Sequence, residues 1–164
     1  MDTLSDQLRE EFYTWEQLGR GELVWDRRVI PEPYFLPFFG HGADLRGADF
    51  SGLRIGGLPN ADARDADFSN TTWDAAQAQN GRDSIFDGAS LARAQAPGID
   101  FTNSSFRDVD FSGGDFAGAI FDRADLTGAK IDDADFTEAR FVNATCPNGQ
   151  LASSFGLCSD ITGD

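Results

Sequence analysis

The chain has 164 residues, with 28 acidic and 13 basic side chains and a formal net charge of −15. Nucleic acid and anionic membrane surfaces attract basic proteins, so this composition argues against binding to either. The length suits one domain with small appendages, and no apolar run approaches the length needed to cross a membrane. We therefore expect neither direct nucleic-acid binding nor a membrane segment.

Residues 1–42 are predicted to form a short α-helical and aromatic cap. Residues 3–18 carry an apolar stripe with a helical period, which Gly19 and Gly21 end. Residues 31–39, PEPYFLPFF, contain three prolines and four aromatic residues and are too proline-rich for a central strand or a helix. We expect an extended lid here. The alternative is an aromatic binding surface that includes Tyr34 and Phe35.

The body of the chain, residues 43–146, has a five-residue period. A large apolar residue, the centre of each repeat, returns at every fifth position from Phe86 to Phe141, and only Ala96 is small. Neither a helix, with period 3.6, nor a flat strand, with period 2, produces this spacing. A chain that turns a corner every five residues does produce it.

Each repeat has the same internal pattern. Two positions before the centre the residue is usually alanine, one position before it is often aspartate, and two positions after it glycine or asparagine is frequent. The centre and the small residue are predicted to point inward, with the residue between them in solvent. Glycine and asparagine tolerate the positive φ of a tight corner.

Upstream of Phe86 the period is interrupted twice, because the steps from Ile55 to Ala63 and from Ala78 to Phe86 are each eight residues. We interpret each as one repeat plus a three-residue insertion. With four repeats per coil, Ile55 and Ala78 would stack on one face, and GGLPN and QNGRD would form adjacent bulges. Trp73, the largest centre, would be compensated by three small centres around it, Ala63, Ala78 and Ala96.

The segments ADLRG, ADFSG, ADFSN, ADLTG and ADFTE resemble the pentapeptide repeat family, whose motif is A-(D/N)-L-X-X. The resemblance covers residues 43–146. It implies an all-β solenoid, a right-handed four-sided β-helix of about five coils. At the spacing of neighbouring strands, such a body would be roughly 24 Å tall.

The C-terminal tail, residues 147–164, follows Cys146 and contains Cys158. The segment TCPNGQLASSFGLC either closes as a disulfide-pinned cap or holds two reduced thiols. The C-P-(D/N)-G…C ending resembles a tail of some family members from oxidising compartments. The N-terminus lacks a basic-then-apolar signal pattern, which favours the cytoplasm. The tail favours a periplasmic or other oxidising compartment.

The sequence offers no persuasive catalytic constellation, and we expect no enzyme, metal or cofactor. His41 is the only histidine, so a histidine metal site or a Ser-His-Asp triad would depend on it alone. We expect a non-catalytic scaffold for a protein partner, present as a monomer or weak dimer. The candidate contact surface comprises the apolar outward residues Ile85, Ile120 and Val142, with Tyr34 and Phe35 of the cap.

The alternative is an acidic mimic of DNA, because some members of the family resemble duplex DNA in shape and charge and bind DNA gyrase. Here the mimic would bind gyrase or another DNA-binding protein through outward aspartates. The predicted register groups these as Asp44, Asp67 and Asp110 on one face, with Asp49, Asp115 and Asp135 on the next. Nine basic residues interrupt the 18 acidic ones between residues 43 and 146.

Overall fold

The computed structural model describes residues 35–36, 44–73, 81–153 and 156–162. Its regular elements are β1 (Phe35–Leu36), β2 (Arg54–Ile55), β3 (Thr72–Trp73) and α1 (Ser159–Thr162). The three strands form one parallel sheet in the order β1-β2-β3. The predicted helix over residues 3–18, together with Tyr34, His41 and Ala78, lies outside the described residues.

The body is an all-β solenoid, which confirms the fold predicted from the five-residue period. Successive coils are joined by parallel bridges, and one column of them runs the length of the body. Its members are Asp44, Asp62, Ile85, Ser105, Asp125 and Thr145. These five steps confirm the expected number of coils.

Each coil has four sides, and one residue of each side faces inward toward the core. The inward residues of the first face are Leu45, Ala63, Phe86, Phe106, Leu126 and Cys146. Those of the second are Phe50, Phe68, Leu91, Phe111 and Ile131. Those of the third are Ile55, Trp73, Ala96, Phe116 and Phe136, and those of the fourth are Leu58, Gly81, Phe101, Phe121 and Phe141.

The corners depend on a left-handed backbone two residues after an inward residue. Gly47, Gly88 and Gly118 have φ of 66°, 72° and 68°, and Asn70 and Asn103 have φ of 57° and 62°. Aspartate, arginine and glutamate adopt the same conformation at other corners. The corner is therefore imposed by the coil even where the residue disfavours it.

The core is a set of stacked aromatic columns. Phe86 and Phe106 on the first face have ring centroids 4.9 Å apart and an interplanar angle of 1°. Phe121 and Phe141 on the fourth face stack in the same way at 5.3 Å. Rings on neighbouring faces meet edge to face. Parallel stacking along a column and edge contacts between columns are both favourable aromatic geometries, so ring contacts run along and between the columns of the core.

The predicted stacking of Ile55 on Ala78 is wrong, because Ile55 pairs with Trp73. Leu58, only three residues after Ile55, is fully buried and supplies the fourth inward side chain of the first coil. GGLPN is thus a shortened side rather than a bulge, and the coil that starts at Asp44 has 18 residues before its partner Asp62. The next coil has 23 residues, from Asp62 to Ile85.

The predicted compensation around Trp73 holds, with one change of residue. Ala96 lies above Trp73 on the third face, and Ala63 is the small residue on the first face of the same coil. The inward residue that follows Trp73 is Gly81, and a Cβ there would collide with the ring of Phe101. The absence of a side chain at Gly81 therefore makes room for Phe101, whose ring meets Trp73 edge to face at 5.7 Å.

Two buried serines supply the hydrogen bonds that are missing between backbone groups at the irregular corners. In regular corners the small residue donates its N–H to the preceding inward residue, as Ala89 does to the Phe86 carbonyl at 2.8 Å. At the shortened side, the Ser84 hydroxyl takes the place of this direct bond. Its Oγ accepts from the Ala61 N–H at 3.1 Å and donates to the Leu58 carbonyl. Ser104 bridges Gly81 and Ser84 in the same manner.

Substitution Ser84→Ala is expected to destabilise the protein by about 1–3 kcal/mol, because it leaves the buried Ala61 N–H and Leu58 carbonyl without partners. Chemical denaturation measures the difference. Ser90→Ala is the matched control, since Ser90 points outward on the second face. It is expected to cost under about 0.5 kcal/mol. Equal losses in the two variants would contradict the bridging role.

The C-terminal tail folds back over the last coil. Pro147-Asn148-Gly149 reverses the chain with Gly149 at φ 80°, and Leu151 then pairs antiparallel with Thr145. Cys146 and Cys158 form a disulfide, and both residues are buried. In α1, Ile161 packs against the core. The tail and the disulfide therefore cover part of the C-terminal end of the solenoid.

Candidate interaction surface

The outward residues form straight columns, because each lies one position before an inward residue and the bridges fix its height. The second-face column consists of Asp49, Asp67, Ser90, Asp110 and Lys130. The third-face column consists of Arg54, Thr72, Gln95, Asp115 and Asp135. On the fourth face, Asp100, Ile120 and Arg140 are in register. A partner would therefore meet side chains at a regular spacing of about 4.8 Å along each column.

The outward aspartates have a local structural role. Asp110 accepts from Ser112 N–H at 2.9 Å, and Asp67 and Asp135 accept from the N–H two residues later at 2.8 Å each. Each such aspartate caps the corner that follows it, as in an Asx turn. This explains why aspartate recurs at one position of the repeat.

Arginines neutralise several of the carboxylates. Arg64 and Arg46 each pair with the aspartate two residues earlier, at 2.6 Å and 2.7 Å. Arg107 reaches Asp125 on the next coil at 2.6 Å. These pairs are exposed enough that water screens them, so they contribute little to stability. Their main effect is to reduce the negative charge that the surface presents.

The predicted grouping of the aspartates is wrong, because the first coil is shorter than the predicted register assumed. Asp44 belongs to the first face, whereas Asp49, Asp67 and Asp110 share the second. Asp115 and Asp135 share the third face without Asp49. The six candidates are thus spread over three faces, and Lys130 ends the second-face column.

Corner hydrogen bonds lower the pKa of several of these carboxyl groups. For Asp110 the main cause is the hydrogen bonding of Ser112, which outweighs the opposing effect of burial, and the charges of Lys130 and Arg93 act in the same direction. The pKa of Asp135 is lowered by the corresponding bonds from Thr137. The aspartates therefore stabilise the corners in their ionised form.

We expect the protein to lose stability as the pH falls below 3.8, the ordinary value of an aspartate carboxyl. A pKa that is lower in the folded than in the unfolded state contributes stability above the unfolded value, and protonation removes it. Asp110→Asn keeps an oxygen acceptor for Ser112 but cannot titrate. Denaturation midpoints at neutral pH and at about pH 3 should therefore differ less in this variant. An unchanged difference would contradict this role of Asp110.

Three apolar residues lie on or beside the fourth face of the last coils and the tail. Ile120 bridges Arg140, and Val142 follows two residues later. Val142 is 40% exposed and contacts Gly156, and the next residue, Leu157, is 36% exposed. We call Ile120, Val142 and Leu157 the fourth-face patch. Of the predicted contact residues, this patch contains Ile120 and Val142.

Ile85 and Phe35 lie elsewhere. Ile85 is on the first face, between Asp62 and Ser105. The first-face residue that follows Ile120 in the chain is Asp125, and Ile85 lies two coils below it, away from the fourth-face patch. Phe35, in β1, is in register with Arg54 at the N-terminal end of the third face. Leu151 and Leu157 are exposed apolar residues that the predicted contact surface does not include, although their position between two cysteines in a Gly/Ser-rich tail is a visible signal.

In the described part of the chain, no three His, Cys, Asp or Glu side chains cluster as metal ligands would. The helix found there, α1, has four residues, far short of a membrane span.

The structure defines a class of protein: a four-sided β-helix with a packed interior, whose outward residues are ordered in columns. Residues 96–145 match the model of the pentapeptide repeats, described as having nine copies. This match identifies residues 96–145 as pentapeptide repeats, which form a right-handed β-helix. The five-residue period and the parallel coils continue on both sides of the matched segment.

Several solved structures are similar to the chain. HetL, a pentapeptide repeat protein involved in heterocyst differentiation regulation in the cyanobacterium Nostoc sp. strain PCC 7120, is 22% identical over 66% of this chain, with a TM-score of 0.41. A trypsin-treated form of QnrB1, a plasmid-mediated fluoroquinolone resistance protein, is 18% identical over 66% of this chain, with a TM-score of 0.42.

A pentapeptide repeat protein from the Arabidopsis thaliana thylakoid lumen is 24% identical over 63% of this chain and 65% of its own, with a TM-score of 0.29. The chain spans 55% of the HetL chain and 61% of the QnrB1 chain. No match was found among curated protein sequences.

Proposed function

We propose that the protein is a non-catalytic scaffold that binds a protein partner. The observation that carries this proposal is the fourth-face patch, where the half-buried Ile120 and the exposed Val142 and Leu157 present apolar surface on or beside one side of the solenoid. Backbone hydrogen bonds between coils hold two of these residues in place: the Ile120 N–H donates to the Ile99 carbonyl at 2.8 Å, and the Val142 carbonyl accepts from the Arg123 N–H at 2.9 Å. Binding would therefore require little ordering of Ile120 and Val142. A pre-organised apolar patch with a polar rim is typical of protein interfaces.

The second candidate, an acidic mimic of DNA that binds gyrase or another DNA-binding protein, has weaker support. The outward aspartates cap corners and pair with arginines, which accounts for their recurrence without a partner. The columns are also interrupted by Ile85, Lys130 and Arg140. A mimic of duplex DNA needs a continuous row of negative charges.

Substitution Ile120→Lys is expected to abolish partner capture from a source-cell lysate while leaving the melting temperature unchanged, because it places a charge in the patch without touching the core. Gln95→Lys is the matched control: Gln95 occupies the same outward position on the third face. It should retain capture. Equal recovery with both variants would contradict the role of the patch.

The same capture distinguishes the second candidate. A partner bound through the apolar patch should remain after a high-salt wash. Recovery of gyrase or another DNA-binding protein that is lost at high salt, and that Ile120→Lys does not affect, would favour the acidic mimic, because salt screens contacts between charges.

We also propose that the protein works in a periplasmic or other oxidising compartment rather than in the cytoplasm. The support is the disulfide between Cys146 and Cys158, since such bonds persist where thiols are oxidised. Alkylation of unreduced protein from source cells under denaturing conditions, followed by mass spectrometry, should show both cysteines unmodified. Alkylation of both would favour the cytoplasm.

A further inference from the structure

The described part of the tail pairs with two of the four sides of the last coil. After the reversal at Pro147-Asn148-Gly149, the Ala152 N–H donates to the Ala144 carbonyl on the first face, at 2.9 Å. The Phe141 N–H on the fourth face donates to the Gly156 carbonyl at 3.1 Å. None of the described tail residues pairs its backbone with the second and third faces.

Those two faces end in unpaired backbone groups. One coil lower, Phe111 and Phe116 donate their N–H groups to the carbonyls of Lys130 and Asp135, at 2.8 Å each. The equivalent donors of the last coil have no acceptor among the described residues, and the equivalent carbonyls have no donor there. The donors are Ile131, Asp133, Phe136 and Glu138, and the carbonyls are those of Ala129, Ala134 and Ala139. We call residues 129–139 the open edge.

The core is also less covered at the open edge. Phe136 retains 8% exposure, whereas Phe116 directly below it is fully buried. Ile131 and Ala134 are only partly buried. Unpaired strand groups beside partly exposed apolar side chains form a template to which another strand can add.

The charge of the open edge determines which strand it suits. Asp132, Asp133, Asp135 and Glu138 are all exposed, and Lys130 is the one cation between residues 129 and 139. Two copies meeting edge to edge would bring eight carboxylates together, and like charges on paired strands are destabilising. A strand that carries lysine or arginine would instead be attracted.

We propose that the open edge is the docking site for an extended, basic segment of a partner protein, which adds to the second and third faces as part of a further coil. The segment would pair its backbone with the groups of residues 129–139. It would place two apolar residues, five apart, over Ile131 and Phe136 and its basic residues beside the carboxylates. This inference rests on the proposed scaffold function and gives it a second surface with a stated partner chemistry.

The test uses the full-length oxidised protein and a synthetic ten-residue peptide with two leucines five apart and lysines at the outward positions. A peptide with glutamate in place of each lysine is the control. We expect saturable binding of the lysine peptide alone, weakened by salt. Hydrogen exchange followed by NMR should slow at the amides of Ile131, Asp133, Phe136 and Glu138.

A matched pair of double variants isolates the charge. D133N/E138Q removes two carboxylates from the open edge, and D65N/D83N removes two from corners of earlier coils. All four residues have left-handed backbones, with φ of 56°, 59°, 58° and 57° respectively, so both changes place similar demands on the backbone. We expect the first to raise the peptide Kd about tenfold and the second less than about twofold.

Three results would overturn the proposal. The first is no binding, or binding without protection of those four amides. The second is protection of the same amides in the monomer without peptide, which would mean that other residues of this chain pair there. The third is a dimer at rising concentration that protects them, which would assign the edge to a second copy. Capture that depends on Ile120 tests the scaffold separately, so the two proposals can fail independently.

Discussion

The structure depends on one constraint, which is that every side of the coil must place one inward residue and then turn through a corner, most often a left-handed one. The inward side chains stack into columns, and burial of each large one is worth roughly 1.5–3 kcal/mol. This gain holds residues such as Arg93, Arg123 and Glu138 at positive φ, with values of 56°, 58° and 59°, although none of them favours that conformation. The core therefore imposes the corner on the sequence.

The same constraint fixes the surface. Because the bridges set the height of each outward residue, an aspartate that caps its own corner also becomes a member of a charged column. Asp110 shows both roles, since it accepts from Ser112 and is in register with Ser90 and Lys130. Acidity on such a fold thus has a structural origin, and the interaction surface must be sought where the column departs from aspartate, as at Ile120.

The five-residue period predicts the solenoid, the inward residues from Phe86 onward and the stacking of Ala96 on Trp73, since each follows from spacing alone. The register of the first coil could not be predicted in this way. Leu58 follows Ile55 by three residues rather than five, and whether it points inward depends on how the next coil packs against it. The open edge also depends on the tail, whose path the spacing does not specify.

The two irregular coils share a property that concerns how this chain can change in length. Their 18 and 23 residues differ from the 20 of the coil that starts at Ile85, and both departures fall between the third and fourth faces. The columns of the first and second faces pass through them in unbroken register. Residues can thus be gained or lost at this corner without displacing their neighbours along the axis. The corner is a natural place for a family to diversify its loops, or for an engineer to graft one, while the remaining three sides keep their spacing.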